Sequence, residues 1–513
     1  MTERQQHESP RRKRLLTSYV AGLIYLFVRA GQQVALLPAF LFAWGAGLYG
    51  QWILLSSAAA FIALIDLGTR PYLHNRLLLQ REAADHAGYR RTFQVSLAIM
   101  FLAVCAGLTV LAAGALVALE TGLLDNDFLD AGSAAFLLFG LGVRALMEIP
   151  LDILSNPHWA RREVTRNIAL NTIWLALELS AMVCGLVLQL PPLAIAVISL
   201  AVRGAFIAYL TVEIPWRYPE LRVLPALPNA EEASALLRMG LSYLGLPIAQ
   251  LASFQGLVIV LSAVSAGPLA VVTFTAIRML VSFLRQILER IGGLTVAELA
   301  RSYAGNENRA LVRVYSTFAR LFGGLAGLLV GAVWIYAPVI VPILTAGKVE
   351  HEPAVLQFLL LGLILGLPGV PVSLMFHQIN RPGPLLMILV PQIAATLLLT
   401  LVLGGRYGAA GAAAAVAIPE ILVGLLWLPI HGARTLPLPI PASIGRMLLA
   451  SIAAGFASAL IAAATLHLIG AGTLVKQILV AITWAALVTL PGFFIMLGSD
   501  QRRWLYSAVR RRS

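Results

Sequence analysis

The stretch 18-SYVAGLIYLFVRAGQQVALLPAFLF-42 decides the fold. It is a 25-residue, mostly apolar run, long enough for a helix to cross a bilayer, which takes about 20 residues. The basic start MTERQQHESPRRKRLL leads straight into it and no small-residue cleavage site follows. It therefore reads as an uncleaved first span. Inside it stand Arg29, Gln32 and Gln33, a permanent cation and two amides where lipid is expected. An ionisable group at mid-bilayer costs at least about 2.5–3.5 kcal/mol. Arg29 lies 11 residues into the run, about 16 Å at 1.5 Å per residue. That is too deep to reach the interface in comfort, so Arg29 either pairs with an acid or faces water.

The same pattern repeats along the chain. Of 513 residues, 59% are hydrophobic and 12% charged, and mean hydropathy is +0.85. A soluble protein of this length cannot hide so much apolar surface. Net charge is +13, but the basic residues sit in short loops and tails between apolar runs, which argues against a nucleic-acid surface. Apolar runs between turn residues predict fourteen spans, at 18–42, 51–67, 93–119, 131–154, 168–190, 192–213, 239–263, 268–289, 314–338, 354–377, 384–403, 408–430, 446–469 and 474–497. They are too long, and alternate too little, for barrel strands. With a cytoplasmic N-terminus, one set of loops and both tails collect almost all the arginines, while the other set holds Glu120, Asp125, Asp127, Asp130, Glu350 and Glu352. That asymmetry predicts an even span count with both termini cytoplasmic.

The expected organisation is a basic N-terminus (1–17), a first lobe of spans 1–6 (18–213), a cytoplasmic linker (214–238), a second lobe of spans 7–12 (239–430), an extra helix pair (431–497) and a basic tail (498–513). Spans 1 and 7 correspond: 46-AGLYGQW-52 and 266-AGPLAVV-272 each follow one span and open the next, 220 residues apart. Six spans separate them, so the copies share one orientation, a parallel repeat.

The pattern 45-GAGLYGQWILLSSAAAFIALIDLG-68 resembles the start of bacterial polysaccharide and O-antigen flippases, in the multidrug/oligosaccharidyl-lipid/polysaccharide exporter superfamily. Its features are Gly-x-Tyr-Gly-x-Trp, then Asp-Leu-Gly at the far end of span 2. The resemblance implies an all-α integral membrane fold of about fourteen helices. Two pseudo-two-fold-related six-helix lobes would surround a central cavity, with a C-terminal pair beside them. It also implies alternating access. Peptidoglycan-precursor flippases of the superfamily use arginines on spans 1, 2 and 8 for the substrate diphosphate. Arg29 and Arg278 match the first and third, whereas span 2 here has no arginine, which argues against that particular substrate.

Depth sorts the remaining buried charges. Spans 5 and 6 turn near Pro191, and Glu178 and Arg203 stand symmetrically about it. They form a structural pair, or Glu178 is a proton or cation site biased by Arg203. Spans 1 and 2 turn near Ala46 and Gly47, which brings Asp66 within about a helical turn of Arg29 in depth. An Arg29–Asp66 pair is therefore one reading. The other puts Arg29 in a cavity, where a guanidinium holds a pyrophosphate by paired hydrogen bonds and Gln32 and Gln33 meet sugar hydroxyls. Arg144, Glu148 and Asp152 form a stripe at one-turn spacing that neutralises itself or conducts a cation. Glu420, beside Pro419, has no cation in its own hairpin and suits ion coupling. Arg285 and Arg320 lie near enough to the inner end to snorkel. Pro368 to Pro371 is the best hinge candidate. The segment 68–92 reads as an amphipathic helix on the inner leaflet or a solvated linker. Cys105 and Cys184 read as small buried hydrophobes.

No enzyme signature stands out. The eight histidines are scattered, no metal-ligand spacing recurs, and no Gly-x-x-x-x-Gly-Lys cradles phosphate, so neither a cofactor nor ATP is expected. The acidic 125-DNDFLD-130 reads as a translocated loop. The expectation is a flippase moving a polyprenyl-(pyro)phosphate-linked oligosaccharide across the inner membrane of a bacterium. Arg29 and Arg278 would hold phosphate, Gln32 and Gln33 sugar, and Glu420, Glu178 or Glu148 would couple an ion. Membrane lipids, a polysaccharide polymerase and chain-length proteins are the expected partners, with no nucleic acid. The alternatives are a cation-coupled drug exporter of the same superfamily and a membrane-embedded polymerase.

Overall fold

The computed structural model describes residues 3–125, 127–161, 163–265, 267–304, 308–378 and 383–469. These are almost entirely helical. Helix lies under each of the first thirteen expected spans; the fourteenth, 474–497, and the tail 498–513 lie outside the described residues. Among the described residues ten helices are long and apolar enough to cross a membrane, or eleven if one bent pair counts as a span. The expected separate N-terminus, 1–17, is helical from Glu3 onward and continuous with the first span.

Two of these helices are hairpins. The first, α1 (Glu3–Ala60), has non-helical backbone at Gly45, φ 71° and ψ −179°. The rings of Phe40 and Trp52 lie 5.4 Å apart and those of Trp44 and Trp52 5.3 Å. A straight helix would hold residues 40 and 52 about 18 Å apart, so the chain folds back at Gly45. Only glycine takes that positive φ without strain. Tyr49 stacks on Phe40 at 5.2 Å, and Trp44 Nε1 donates to the Leu190 carbonyl at 3.0 Å, so the Gly-x-Tyr-Gly-x-Trp stretch braces the reversal. The second hairpin turns at Gly408, φ 56°, where a side chain on Gly411 would meet the Gly404 nitrogen at 2.9 Å.

The chain forms two compact units, residues 1–263 with 344–348, and 264–343 with 349–513. The expected lobes divide instead at the linker 214–238. Span 7, expected to open the second lobe, packs in the first unit. There α2 (Thr69–Glu82) lies against α8 (Ala230–Leu251), with Gly68, φ 73°, pressed on the backbone of Gly240 and Leu244.

The rest of the first unit is α3 (His86–Glu120), α4 (Ala131–Leu146), α5 (Glu148–Ala160), α6 (Val164–Val187), α7 (Pro192–Arg217) and α9 (Leu257–Val264). Met147 divides α4 from α5, where Pro150 has no N–H for the Leu146 carbonyl. The segment 68–92 follows neither expectation: Leu73 and Leu77 are buried in the unit's core, the first against Val95 and Leu236 and the second with Tyr89 and Phe93. An apolar helix face is legible in sequence; that protein, not lipid, covers it is not. Cys105 and Cys184 are exposed, another correction, since an apolar span has a lipid-facing side as well as a core side.

The second unit holds α10 (Pro268–Ala304), α11 (Asn308–Leu344), α12 (Pro353–Gly366), α13 (Gly369–Gln378), α14 (Gly383–Leu399), α15 (Gly405–Ile421), α16 (Leu428–Thr435) and α17 (Ile440–Ile469). The expected hinge falls where α12 and α13 bend by 60°. Wide π-helical turns interrupt the spans at Thr400–Gly404 and Leu422–Trp427. Span 13, α17, runs along α11 so closely that side chains on Gly323, Gly327 and Gly331 would strike its backbone. Ser451 and Ser458 hydroxyls donate to the Gly323 and Leu328 carbonyls at 2.8 and 2.6 Å. Small residues and hydroxyls are how helices associate where lipid removes the hydrophobic drive.

Candidate functional site

The first unit contains a cavity of about 360 Å³. The hairpin arm of α1 supplies Tyr25, Arg29 and Gln32; α4 and α5 supply Arg144 and Glu148; α6 supplies Asn171 and Trp174; α7 supplies Arg203 and Phe206. Helix periodicity accounts for the grouping: Arg29 and Gln32 are three apart, as are Asn171 and Trp174 and also Arg203 and Phe206, so each pair shares a face. Gln33's side chain lies outside the described residues.

Behind the cavity sits Glu178, 1% exposed. Its Oε1 accepts from Arg144 Nε and Nη2 at 3.1 and 2.9 Å and from Ser199 Oγ at 2.5 Å; its Oε2 accepts from Arg203 Nε at 2.8 Å. Arg203 is forked. Its Nη1 reaches forward to Glu148 Oε1 at 2.9 Å, and the Glu148 side chain is 40% exposed. Arg29 stands apart. Its Nη1 lies 3.4 Å from the Tyr25 hydroxyl, and among the described residues no carboxylate pairs with it. The cavity and its back wall thus carry three arginines against two carboxylates.

Two sequence expectations fail here. Asp66 does not meet Arg29. It is buried, accepts from the Gly68 N–H at 3.3 Å, and pairs with Arg70 Nε at 2.5 Å. The cause is local: a tight helical turn, Phe61–Asp66, ends in left-handed backbone at Leu67 and Gly68. That diverts the chain and points Asp66 along the next helix. The Asp-Leu-Gly element is thus a turn lock. Nor does the Arg144–Glu148–Asp152 stripe neutralise itself. Arg144 goes to Glu178, Glu148 to Arg203, and Asp152 to Arg70 Nη1 at 2.7 Å, because each finds its partner on a neighbouring helix rather than along its own. Sequence alone gave Arg144 no place in the cavity, and Trp174 and Asn171 were missed. The three-residue spacing of Asn171 and Trp174, with Trp174 level with Phe206 and Tyr209 across the Pro191 turn, was the available signal.

A second cavity, of about 350 Å³, shares Glu148 and Asn171 with the first. Arg70, His74, Asp152 and Asn156 line it, with His74 Nδ1 2.7 Å from Asn156 Oδ1. A polar tract therefore runs inside this unit from Arg29 to the first turns of α2.

In the second unit Glu420 has a cation after all. Arg285 Nη2 pairs with Glu420 Oε1, so Arg285 does not snorkel. The partner comes from α10, which hairpin depth does not consider. Gly362 and Gly366 of α12 make room for the Glu420 side chain. Arg278 lies over the Phe274 ring at 5.5 Å and feels the charges of Arg285 and Glu420. Arg320 is exposed.

These features define a polytopic helical membrane protein with a cationic, amide- and aromatic-lined cavity. No known protein family is matched by the sequence, and no curated protein matches it. Solved structures do match in fold. An inward-facing multidrug resistance MATE family transporter of the MOP superfamily gives a TM-score of 0.60 at 17% identity, covering 82% of this chain and 94% of its own. The lipid II flippase MurJ, in an inward closed conformation, gives 0.60 at 11% identity, covering 94% and 99%. A MOP superfamily transporter from Pyrococcus furiosus, described as having a binding pocket of reverse polarity, gives 0.50 at 15% identity, covering 84% and 94%. The chain has the fold these transporters share; at such identities the likeness is one of fold alone.

Proposed function

We propose that this chain is a flippase of the cytoplasmic membrane of a bacterium, with both termini cytoplasmic. It moves a polyprenyl-(pyro)phosphate-linked oligosaccharide from the inner to the outer leaflet by alternating access. The observation that carries the proposal is the cavity of the first unit. Arg29 stands unpaired by acid among the described residues, beside Gln32, Asn171 and Trp174. A guanidinium takes a phosphate through two parallel hydrogen bonds, amides take hydroxyls, and an indole face takes the apolar face of a sugar ring. The fold, shared with a lipid II flippase, is suited to passing a headgroup while its lipid tail stays in the bilayer.

Arg29 is the proposed first phosphate contact. Arg278, deep in α10, keeps its sequence-derived role as a second, and Gln32 and Gln33 their role toward sugar. Of the candidate coupling carboxylates, Glu178 is saturated by its donors and serves structure. Glu148, open to the cavity, and Glu420 are the proposed coupling groups. A polysaccharide polymerase and chain-length proteins would act on the delivered product. The rival reading, export of organic cations by the same fold, is disfavoured by three arginines in and behind one cavity, which repel a cation.

The test is transport of a polyprenyl-diphosphate oligosaccharide in proteoliposomes by the wild type, Arg29→Ala and Arg278→Ala. The proposal expects stable variants with transport abolished in Arg29→Ala and reduced in Arg278→Ala. Undiminished transport in both removes the phosphate clamp.

A further inference from the structure

Arg203 holds two carboxylates of opposite character. Its Nε is committed to Glu178, which is 1% exposed and accepts from three residues. Its Nη1 is given to Glu148, a half-exposed carboxylate that lines both cavities. The first contact is fixed, because breaking it leaves a buried charge uncompensated. The second is not, because Glu148 keeps contact with open cavity when it lets go. The groups around Glu148 would not hold it in place either. Asp152, one turn along α5, carries the same sign and belongs to Arg70. Arg144 gives its Nε and Nη2 to Glu178 and Ser199.

We infer that Glu148 is a built-in competitor for the substrate's anion: its carboxylate occupies Arg203 Nη1 while the site is empty, gives that donor up to a phosphate oxygen when the headgroup binds beside Arg29, and retakes it on release. The inference rests on the diphosphate reading of the cavity and deepens it. It makes the affinity for an anion deliberately lower than the arginines alone would give, which lets the site let go of its cargo. It also explains why Arg203 is forked: Glu178 pins the guanidinium plane so that the freed Nη1 already points at the cavity. No bond is made or broken beyond exchange of one hydrogen-bonded ion pair for another.

The test uses the full chain purified in detergent and two probes, a short-chain prenyl-diphosphate diester of a hexose and the corresponding uncharged prenyl hexoside. Glu148→Gln and Glu148→Ala are measured against the wild type. The inference expects both variants to bind the charged probe tighter, by about tenfold, or about 1.4 kcal/mol. The uncharged probe should be unmoved, and turnover in proteoliposomes should fall because release is slowed. A merely structural Glu148 would weaken or leave unchanged both probes together. Charged-probe affinity equal to or weaker than wild type in a variant that elutes as folded protein overturns the inference while leaving the diphosphate reading intact. Should both variants fail to fold, Glu148 is a structural residue and the inference is likewise overturned. Failure of the wild type to bind the charged probe overturns the reading on which it rests.

Discussion

The two units handle buried charge differently. In the first, Arg144, Glu178, Arg203 and Glu148 join in one chain of ion pairs across four helices, and Asp152, Arg70 and Asp66 in a second beside it. In the second unit, among the described residues, the pair of Arg285 with Glu420 lies among glycines, wide helical turns and a 60° bend. Burying charge in a membrane is worthwhile only where it pairs or meets water. Among the described residues the first unit is thus built around a polar chamber, and the second by close backbone packing around the Arg285–Glu420 pair. On the reading proposed above, recognition belongs to the first unit's cavity.

The largest effect should come from the node of the first network. Glu178→Gln leaves Arg144 and Arg203 facing each other with only Glu148 to balance them. Loss of one partner of a buried pair costs about 3–5 kcal/mol, so thermal unfolding in detergent should shift well downward. An unmoved transition would show that the network is ornamental and break the comparison. Next comes packing in the second unit. A side chain at Gly327 would meet Ser451 carbon at 2.8 Å and Gly455 nitrogen at 2.9 Å, backbone that cannot turn aside. Gly327→Val should cost about 1–3 kcal/mol by overpacking, read in the same melt; Gly114→Val, where open space surrounds the glycine, is the control. Glu420→Gln should cost less than Glu178→Gln, about 1–3 kcal/mol for a weakened charged hydrogen bond, since Glu178 accepts from three residues and is 1% exposed, whereas the Glu420 side chain is 15% exposed. A larger cost than at Glu178 would reverse the ranking of the two units.

The smallest effect concerns the first turn of α8, outside the membrane spans. Asn229 and Glu232 form a reciprocal cap, and Arg91 grips Glu232 at 2.9 Å. The Arg91 side chain, and then the Asn229 backbone N–H, hold the Glu232 carboxyl below its usual range. A carboxyl depressed on folding contributes stability that is full above its unfolded value and is lost as pH falls through its folded one. Lowering pH below the ordinary glutamate range should therefore loosen residues 229–236 first, seen as faster amide exchange there; Glu232→Gln should remove that pH dependence.

Much of the fold was legible in the sequence, because span length and apolar continuity are set by the bilayer itself. Helix lies under the first thirteen spans, and both glycine reversals fall where turn residues stand. Partners were legible only inside simple hairpins. Glu178 and Arg203 are equidistant from Pro191, and Arg203 Nε lies 2.8 Å from Glu178. The same rule misplaced Asp66, because left-handed backbone at Leu67 and Gly68 intervenes. It missed Arg285 and Glu420, because their helices are not neighbours in sequence. Nor did apolarity say which face meets lipid, as Cys105 and Leu77 show from opposite sides.

The claim on which the account depends is that Arg29 meets an anion in the first unit's cavity. Equilibrium binding of the prenyl-diphosphate hexose diester to the wild type, Arg29→Ala and Arg320→Ala tests it most directly. The account predicts that Arg29→Ala weakens binding by about ten- to a hundredfold, as expected for a charged hydrogen bond worth about 1.5–3 kcal/mol, while the exposed Arg320→Ala binds as the wild type does. Equal affinity in all three would contradict it.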